Sequence, residues 1–382
     1  MPCKMKTLFI LLSAMSLFSC SETKNISTPV PENAGLPLAS PGSVGMDTTL
    51  LNRMDSNIVA SIYPNIHSVL VWKDGKFVWE TYYSGRDENW GQDLGVVTHH
   101  QDRLHDARSV SKSFVSACIG LAIAQGKIKS VDQTVLSFYP EYRHLDTGLT
   151  SSLTIRHLLT MTTGQRWNEN VPYSDSTNSE IRMIRSSDPV GYALSQPIEK
   201  QPGTEWNYNG GSTQLLASIV EKATGKKIDA FAEEYLFQPL GIDSFEWSKY
   251  PGTDLPAAAS GLRLTSRDLL KLGILYLDEG RYNGKQLLPP DWVQQSIQQH
   301  ISRPGPPGIK GFGYGYQFFL APLPPPGDHI QVAIAIGNGN QRIVIDKTNK
   351  MVVVVTAGNY NKWNIMNNSD KLVFDFIYPA LK

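Results

Sequence analysis

The stretch Ala107-Arg108-Ser109-Val110-Ser111-Lys112-Ser113-Phe114 sets a hydroxyl and an ammonium three residues apart at the head of an apolar run. If that run is helical, Ser109 and Lys112 share one face, a turn apart. A serine opening such a helix has its backbone N–H directed at an incoming oxyanion, and the helix dipole favours the developing negative charge. An ammonium held out of water releases its proton more readily, so a lysine there can accept or relay the serine proton. The pair is a workable nucleophile and proton partner for acyl transfer. Spacing alone is weak: Ser21 and Lys24 repeat it in a Ser-, Thr- and Pro-rich stretch that reads as a tether with no fold around it. The setting distinguishes the first copy, because an ammonium on an apolar helix is costly without a purpose.

The elements that must position this pair are readable from pattern. Ser109 to Gln125 reads as one long apolar helix through Phe114, Val115, Cys118, Ile119, Leu121 and Ala122, ended by Gly126. Upstream, Asp47 can cap a helix through Leu51, Met54 and Ile58. Val69–Trp72 and Phe77–Tyr83 flank Asp74-Gly75, a hairpin signal. From Asp132 to Gln299 the pattern is mostly helical, strongest at Thr154–Leu159, Ser212–Thr224 and Ser266–Leu277, each opened by a Thr or Ser cap. After a Pro-rich loop, runs at Gly313–Leu320, Ile330–Ile336, Arg342–Asp346 and Met351–Thr356 read as strands. Strands and a helix, then helices, then strands argue for an α/β (α+β) fold: an antiparallel sheet flanked by helices, with a large helical lobe inserted. The expected body is 46–131 and 300–382, and the expected lobe is 132–299.

Lys+Arg and Asp+Glu both number 35 in 382 residues, so no net charge draws the chain to nucleic acid. Lys4 and Lys6 precede an apolar run from Leu8 to Phe18 that ends at Ser19-Cys20. This is the pattern of an export signal over residues 1–20, and a Cys in that place resembles a lipobox, which makes Cys20 the lipidated residue of a membrane-anchored, exported protein. Residues 21–45 read as a flexible tether. Of three cysteines that leaves Cys118, a core thiol without a disulfide partner.

Further motifs follow in order: Thr154-Ile155-Arg156-His157-Leu158-Leu159, Pro202-Gly203-Thr204-Glu205-Trp206-Asn207-Tyr208-Asn209-Gly210-Gly211, and Gly261 to Tyr276 with Ser266-Arg267-Asp268. With these the chain resembles, from about Val44 to Ile377, the serine β-lactamase and penicillin-recognising family in its class C-like and esterase branch, nearest to the nylon-oligomer (aminohexanoate) hydrolases. The resemblance implies a β-lactamase/transpeptidase-like fold, Ser109 as nucleophile, Lys112 as its proton partner and Tyr208 as general base or shuttle. A phenol beside an ammonium is expected to have a lowered pKa. The same resemblance implies an oxyanion hole made of the Ser109 and Gln341 backbone N–H groups. Two departures stand out. Gly210 replaces the polar residue usual two positions after the Tyr, and Gly337-Asn338-Gly339-Asn340-Gln341 stands where the family carries a cationic residue. Lys347-Thr348 falls in a turn and is a decoy. Asn338 and Gly339 are then substrate-binding, and Asn338 brings no charge to grip a carboxylate. Trp167, Tyr173 and Trp206 are expected to line an apolar acyl pocket.

A small ester or amide is therefore the expected substrate, with β-lactamase or D-alanyl-D-alanine carboxypeptidase activity the runner-up. The rival of another class is a non-catalytic cell-envelope binding protein on the same fold, against which the joint presence of Ser109, Lys112 and Tyr208 argues. Gly-x-Ser-x-Gly, His-Glu-x-x-His, P-loop and dinucleotide motifs are all missing from the sequence. No cofactor or metal is expected, and His99, His100 and His105 read as surface histidines in a loop.

Overall fold

The computed structural model describes residues 36–305, 310–323 and 331–382. The expected signal segment 1–20 with Cys20, and residues 21–35 of the expected tether, lie outside the described residues. Asp47 caps α1 (Thr48–Val59) by accepting from the Thr49 N–H, and Leu51, Met54 and Ile58 form its buried stripe. The hairpin follows as β1 (Ile66–Lys73) and β2 (Lys76–Tyr82). Asp74 and Gly75 both take positive φ, which a primed turn requires. A second hairpin, β3 (Ser84–Asn89) with β4 (Gln92–Thr98), pairs outside the main sheet, and its polar residues carried no strand signal.

β5 (His105–Asp106) leads into a tight turn at Arg108–Val110 and then α2 (Ser111–Ala124). Twelve of the fourteen residues of α2 are buried, so it is a central helix with no solvent face. α3 (Ser179–Ile184) and α4 (Gly210–Thr224) lie in the inserted segment. β6 (Glu246–Trp247) and β7 (Leu262–Leu264) complete a three-stranded sheet in the order β5-β7-β6. α4 begins two residues earlier than expected, because Asn209 rather than Ser212 caps it. α5 (Ser266–Leu277) is capped by Thr265 and packs on the main sheet, so the expected lobe 132–299 is not wholly separate from the body.

The chain then supplies β8 (Ile301–Ser302), β9 (Gly313–Tyr314), β10 (Phe319–Pro322), β11 (Gln331–Gly337), β12 (Gln341–Asp346) and β13 (Met351–Ala357). The antiparallel sheet runs β8-β9-β10-β11-β12-β13-β1-β2. Gly313–Leu320 is two strands joined by a turn rather than one. β12 and β13 are buried along their whole length, which explains their unbroken β-branched runs: one core packs α2, α4 and α5 against the sheet, and a second packs α1 and the C-terminal α6 (Asn368–Leu372) on its other face. Residues 36–45, expected to be tether, are laid against the fold: Ala39 N–H donates to the Phe77 carbonyl at 3.1 Å and Phe77 N–H to that of Pro37 at 2.7 Å.

Among the described residues no helix is long and apolar enough to cross a membrane. Cys118 is a free, buried core thiol.

The α5–sheet contact is close at Gly273, where a Cβ would lie 2.3 Å from Val352 Cγ1 and 3.1 Å from Ile343 Cγ2. Ala gains about 1 kcal/mol of helix propensity over Gly, while overpacking a core costs about 1–3 kcal/mol. Gly273→Ala is therefore expected to lower stability by roughly 1 kcal/mol, read as a lower urea midpoint; a raised midpoint would show that the interface has slack.

Candidate active site

Ser109 lies in the turn that feeds α2, and Arg108 before it holds φ +49°, a left-handed conformation unusual for a side-chain-bearing residue. The surroundings over-determine that strain. Arg108 Nη2 donates to Glu88 Oε2 at 2.9 Å, its Nε lies 3.1 Å from Asp106 Oδ2, and its guanidinium sits 4.6 Å over the Tyr360 ring. Lys112 Nζ donates to Ser109 Oγ at 3.1 Å and to the Ala259 carbonyl at 2.8 Å, with 2% of the residue exposed. The same ammonium stands 5.0 Å from the centre of the Tyr208 ring. Ser109, Lys112 and Tyr208 are thus brought together as expected.

The expectation for the Tyr208 phenol is corrected. Burial, and then the single negative charge on the neighbouring Glu169 and Glu180 carboxyls, push it well above the ordinary tyrosine range, against a smaller lowering from its hydrogen bond with Ser109. Tyr208 is held in its protonated form and is suited to donate.

The sequence reading missed a pair of acids. Glu169 Oε2 accepts from Trp167 Nε1 at 3.0 Å and from the Gly210 N–H at 2.8 Å. Glu180, on α3, lies beside it and accepts from Ser260 Oγ at 3.3 Å. A Cβ on Gly210 would come within 3.0 Å of Glu169 Oε1 and 3.2 Å of Glu180 Cδ. Gly210 therefore does not leave a gap; the two carboxyls fill the space. Burial and the neighbouring Glu180 charge push Glu169 well up, so it carries the proton. At Glu180 burial is outweighed by the hydrogen bond from Glu169 and the charges of Lys112 and Arg108, which hold it below the usual carboxylate range. No spacing rule marks two glutamates eleven residues apart in a loop-rich stretch as partners.

Ser109 sits at the divide between two clefts. One, of roughly 880 Å³ including its mouth, is lined by Tyr173, Trp206, Tyr208, Phe319, Asn338 and Gly339 among others. The other, roughly 800 Å³, is bounded by Trp90, Arg108, Tyr173, Ile181, Ser260 and Asn338. Tyr173, Trp206, Asn338 and Gly339 thus border the site as expected. Trp167 does not: it is core, and its indole N–H serves Glu169. Gln341 is also corrected. It is fully buried, pairs with Gly337 in the β11–β12 ladder, and its side chain bonds the Ala357 backbone at 2.6 and 3.0 Å, away from both clefts. The segment facing the nucleophile turn is instead the end of β11, where a Cβ on Gly337 would lie 2.5 Å from the Ala107 carbonyl.

The Asn338 amide is tied to Asn361, donating at 2.8 Å and accepting at 2.9 Å. The wall is not free of cations, because Lys362 and Arg342 line the first cleft. Arg342 is committed: it donates to Asp370 at 2.7 and 2.9 Å and to the Met366 and Gln341 carbonyls at 3.0 Å each. Lys362 is exposed. Lys347-Thr348 lies in the β12–β13 turn, with Lys347 paired to Glu279, as expected of a decoy.

A serine touching a buried lysine at the head of a central helix, beside an antiparallel sheet, defines a serine-hydrolase architecture. The Beta-lactamase family model matches residues 66–369, and the chain belongs to that family. Over 204 residues it is 28% identical to the 6-aminohexanoate-dimer hydrolase of Paenarthrobacter ureafaciens, covering 51% of each chain. Esterase EstB of Burkholderia gladioli is 28% identical over 152 residues, 37% of this chain and 38% of that protein. The chain thus spans about half the length, or less, of these curated relatives. A proposed 6-aminohexanoate-dimer hydrolase from Bacillus anthracis has the same fold, with a TM-score of 0.67 at 19% identity over 94% of this chain and 92% of that one.

Arg342 ties the cleft wall at Met366 to the sheet, and removing one partner of such a pair strands the other charge. Because Asp370 keeps partial access to water, Arg342→Met is expected to cost about 2–3 kcal/mol, measured by urea unfolding. A loss within error of zero would show that the wall stands without it.

Proposed function

We propose that the chain is a serine hydrolase that cleaves a carboxylic ester or small amide through an acyl-enzyme on Ser109. The observation that carries this reading is the 3.1 Å contact between Ser109 Oγ and a buried Lys112 Nζ, opening onto two clefts. One cleft holds the acyl group against Trp206 and Phe319, and the other takes the leaving group. As Ser109 attacks the carbonyl, its proton passes to the Tyr208 oxygen while Tyr208 hands its own proton to the leaving group, and the Lys112 ammonium holds the Ser109 oxygen in place. In the second half water gives a proton to Tyr208, which returns its own to Ser109 as the acyl group leaves. The oxyanion rests on the Ser109 N–H and, at the end of β11, the Asn338 N–H, which takes the part first given to Gln341. The Glu169–Glu180 pair, one proton between them, supplies the counter-charge for Lys112.

The apolar acyl wall favours an ester or small amide, and the engagement of Asn338 by Asn361 disfavours a β-lactam carboxylate at that position. Initial rates on a short-chain nitrophenyl ester and a chromogenic cephalosporin, with Ser109→Ala as blank, test this. Ester turnover should dominate and fall at least about a thousandfold in Ser109→Ala. Dominant cephalosporin turnover would overturn the substrate class, and an active Ser109→Ala would overturn the nucleophile.

We further propose that the protein is exported and held to a membrane by lipid on Cys20. The support is the Lys4/Lys6, Leu8–Phe18, Ser19-Cys20 pattern. Cys20→Ala should move the chain from the membrane fraction to the soluble one in a cell fractionation; an unchanged distribution would rule out the anchor.

A further inference from the structure

Four side chains that the hydrolytic reaction does not use converge behind the nucleophile turn. His67 on β1, Asp87 on β3, His99 just past β4 and His105 on β5 each present one ligand atom, and those atoms lie within 4.8 Å of one another. All four residues are buried. His99 and His105 were expected at the surface, and only His100 of that trio is exposed. The sequence offered no hint, because two of the four ligands come from elements whose pairing is not encoded in local spacing.

The hydrogen bonds around the cluster decide where its ring protons sit. His105 Nδ1 lies 3.0 Å from the Asp106 carbonyl oxygen, which can only accept, so Nδ1 carries the hydrogen and Nε2 is a bare lone pair. The Asn65 amide is oriented by Arg86: its Nδ2 donates to the Arg86 carbonyl at 3.0 Å and its Oδ1 accepts from the Arg86 N–H at 2.8 Å. The atom 3.3 Å from His67 Nε2 is therefore an oxygen, and Nε2 is the protonated nitrogen of His67. Two bare nitrogens, His67 Nδ1 and His105 Nε2, then face each other at 2.9 Å. Lone pairs so placed repel unless a cation lies between them.

A shared proton would satisfy those two nitrogens alone. It would leave Asp87 Oδ2 and His99 Nε2, 3.9 Å apart, as buried atoms without a hydrogen-bond partner. A metal ion accounts for all four ligands. Asp87 Oδ1 lies 3.7 Å from His105 Nε2 and 4.0 Å from His67 Nδ1. Tetrahedral ligands on bonds of about 2.0–2.1 Å stand about 3.3 Å apart, and the observed separations bracket that value. The outer contacts are those of ligated histidines and carboxylates: each of these two imidazoles has its other N–H on a carbonyl or amide oxygen, and Tyr360 donates to Asp87 Oδ1 at 2.9 Å. Gly85 and Gly358 press on His67 from outside, where a Cβ would come within 2.6 Å of the imidazole.

We propose that His67, Asp87, His99 and His105 form a closed, structural site for a zinc-class divalent cation. Three imidazoles and a carboxylate suit zinc, and four protein ligands leave no position for substrate. Burial, reinforced by the neighbouring histidines, holds His67 and His99 below the ordinary imidazole range, His99 at about 3, so both are neutral donors. The ion pins β1, the β3–β4 hairpin and β5 together. It also braces Asp106 and Tyr360, two of the groups that hold Arg108 in its strained conformation before Ser109.

The test uses the full chain and does not depend on its activity. Purified protein should contain about one zinc per chain by mass spectrometry of the metal. The content should persist in Ser109→Ala and fall at least tenfold in His99→Gln and in Asp87→Asn. Chelator-treated wild-type chain should take up cobalt(II) with the intense visible bands of a tetrahedral site, and zinc should restore the melting temperature lost on chelation. If the variants fail to fold, the cobalt titration of the wild-type chain decides alone. Trace zinc in the purified chain with no cobalt bands and no melting shift would overturn the site in favour of a shared proton. Zinc that survives in folded His99→Gln would mark it as adventitious.

Discussion

The ammonium of Lys112 is buried in a helix that has twelve of its fourteen residues out of water, and much of the surrounding architecture answers that one charge. An unpaired buried cation costs several kcal/mol, so the helix carrying it must be met by polar atoms that the core would otherwise exclude. Ser109 Oγ and the Ala259 carbonyl meet it directly. The Glu169–Glu180 pair answers it at longer range, and because two carboxyls share one proton they offer one negative charge rather than two. Gly210 is a consequence: a side chain there would displace the acids.

The second constraint is the conformation of the nucleophile turn. Arg108 takes a left-handed backbone that only a dense set of contacts maintains, and those contacts come from four places in the sequence: Glu88 on the off-sheet hairpin, Asp106 on β5, Arg263 on β7 pairing with Asp106 at 2.9 Å, and Tyr360 after β13. Mechanism and scaffold are therefore not separable here. The polar hairpin β3–β4, which packs little apolar surface of its own, earns its place by delivering Glu88 to one side of Arg108 and Asp87 to the histidine cluster on the other.

Much of the fold was legible in advance, because its signals are local. α1 with its Asp47 cap, the Asp74-Gly75 hairpin, the apolar helix at Ser109 and the β-branched runs of β11 to β13 each carry their own period or turn chemistry, and the family motifs ordered them. The polar hairpin and ordered residues 36–45 escaped, since neither has apolar periodicity: the hairpin strands pair only with each other, and residues 36–45 are held by backbone bonds to distant partners.

For the site, the sequence by itself determined the chemically committed residues. Ser109 and Lys112 meet because a helix must bring residues three apart onto one face, and Tyr208 stands immediately before the cap of α4. Everything set by contact between distant segments was decided only in three dimensions. The protonation of Tyr208 follows from burial beside Glu169, the exclusion of Gln341 from its register opposite Gly337, the commitment of Arg342 from Asp370, and the converging imidazoles from the meeting of three strands. Local spacing encodes faces of helices and strands; burial, charge partners and lone-pair conflicts are properties of neighbours that only the packed chain supplies.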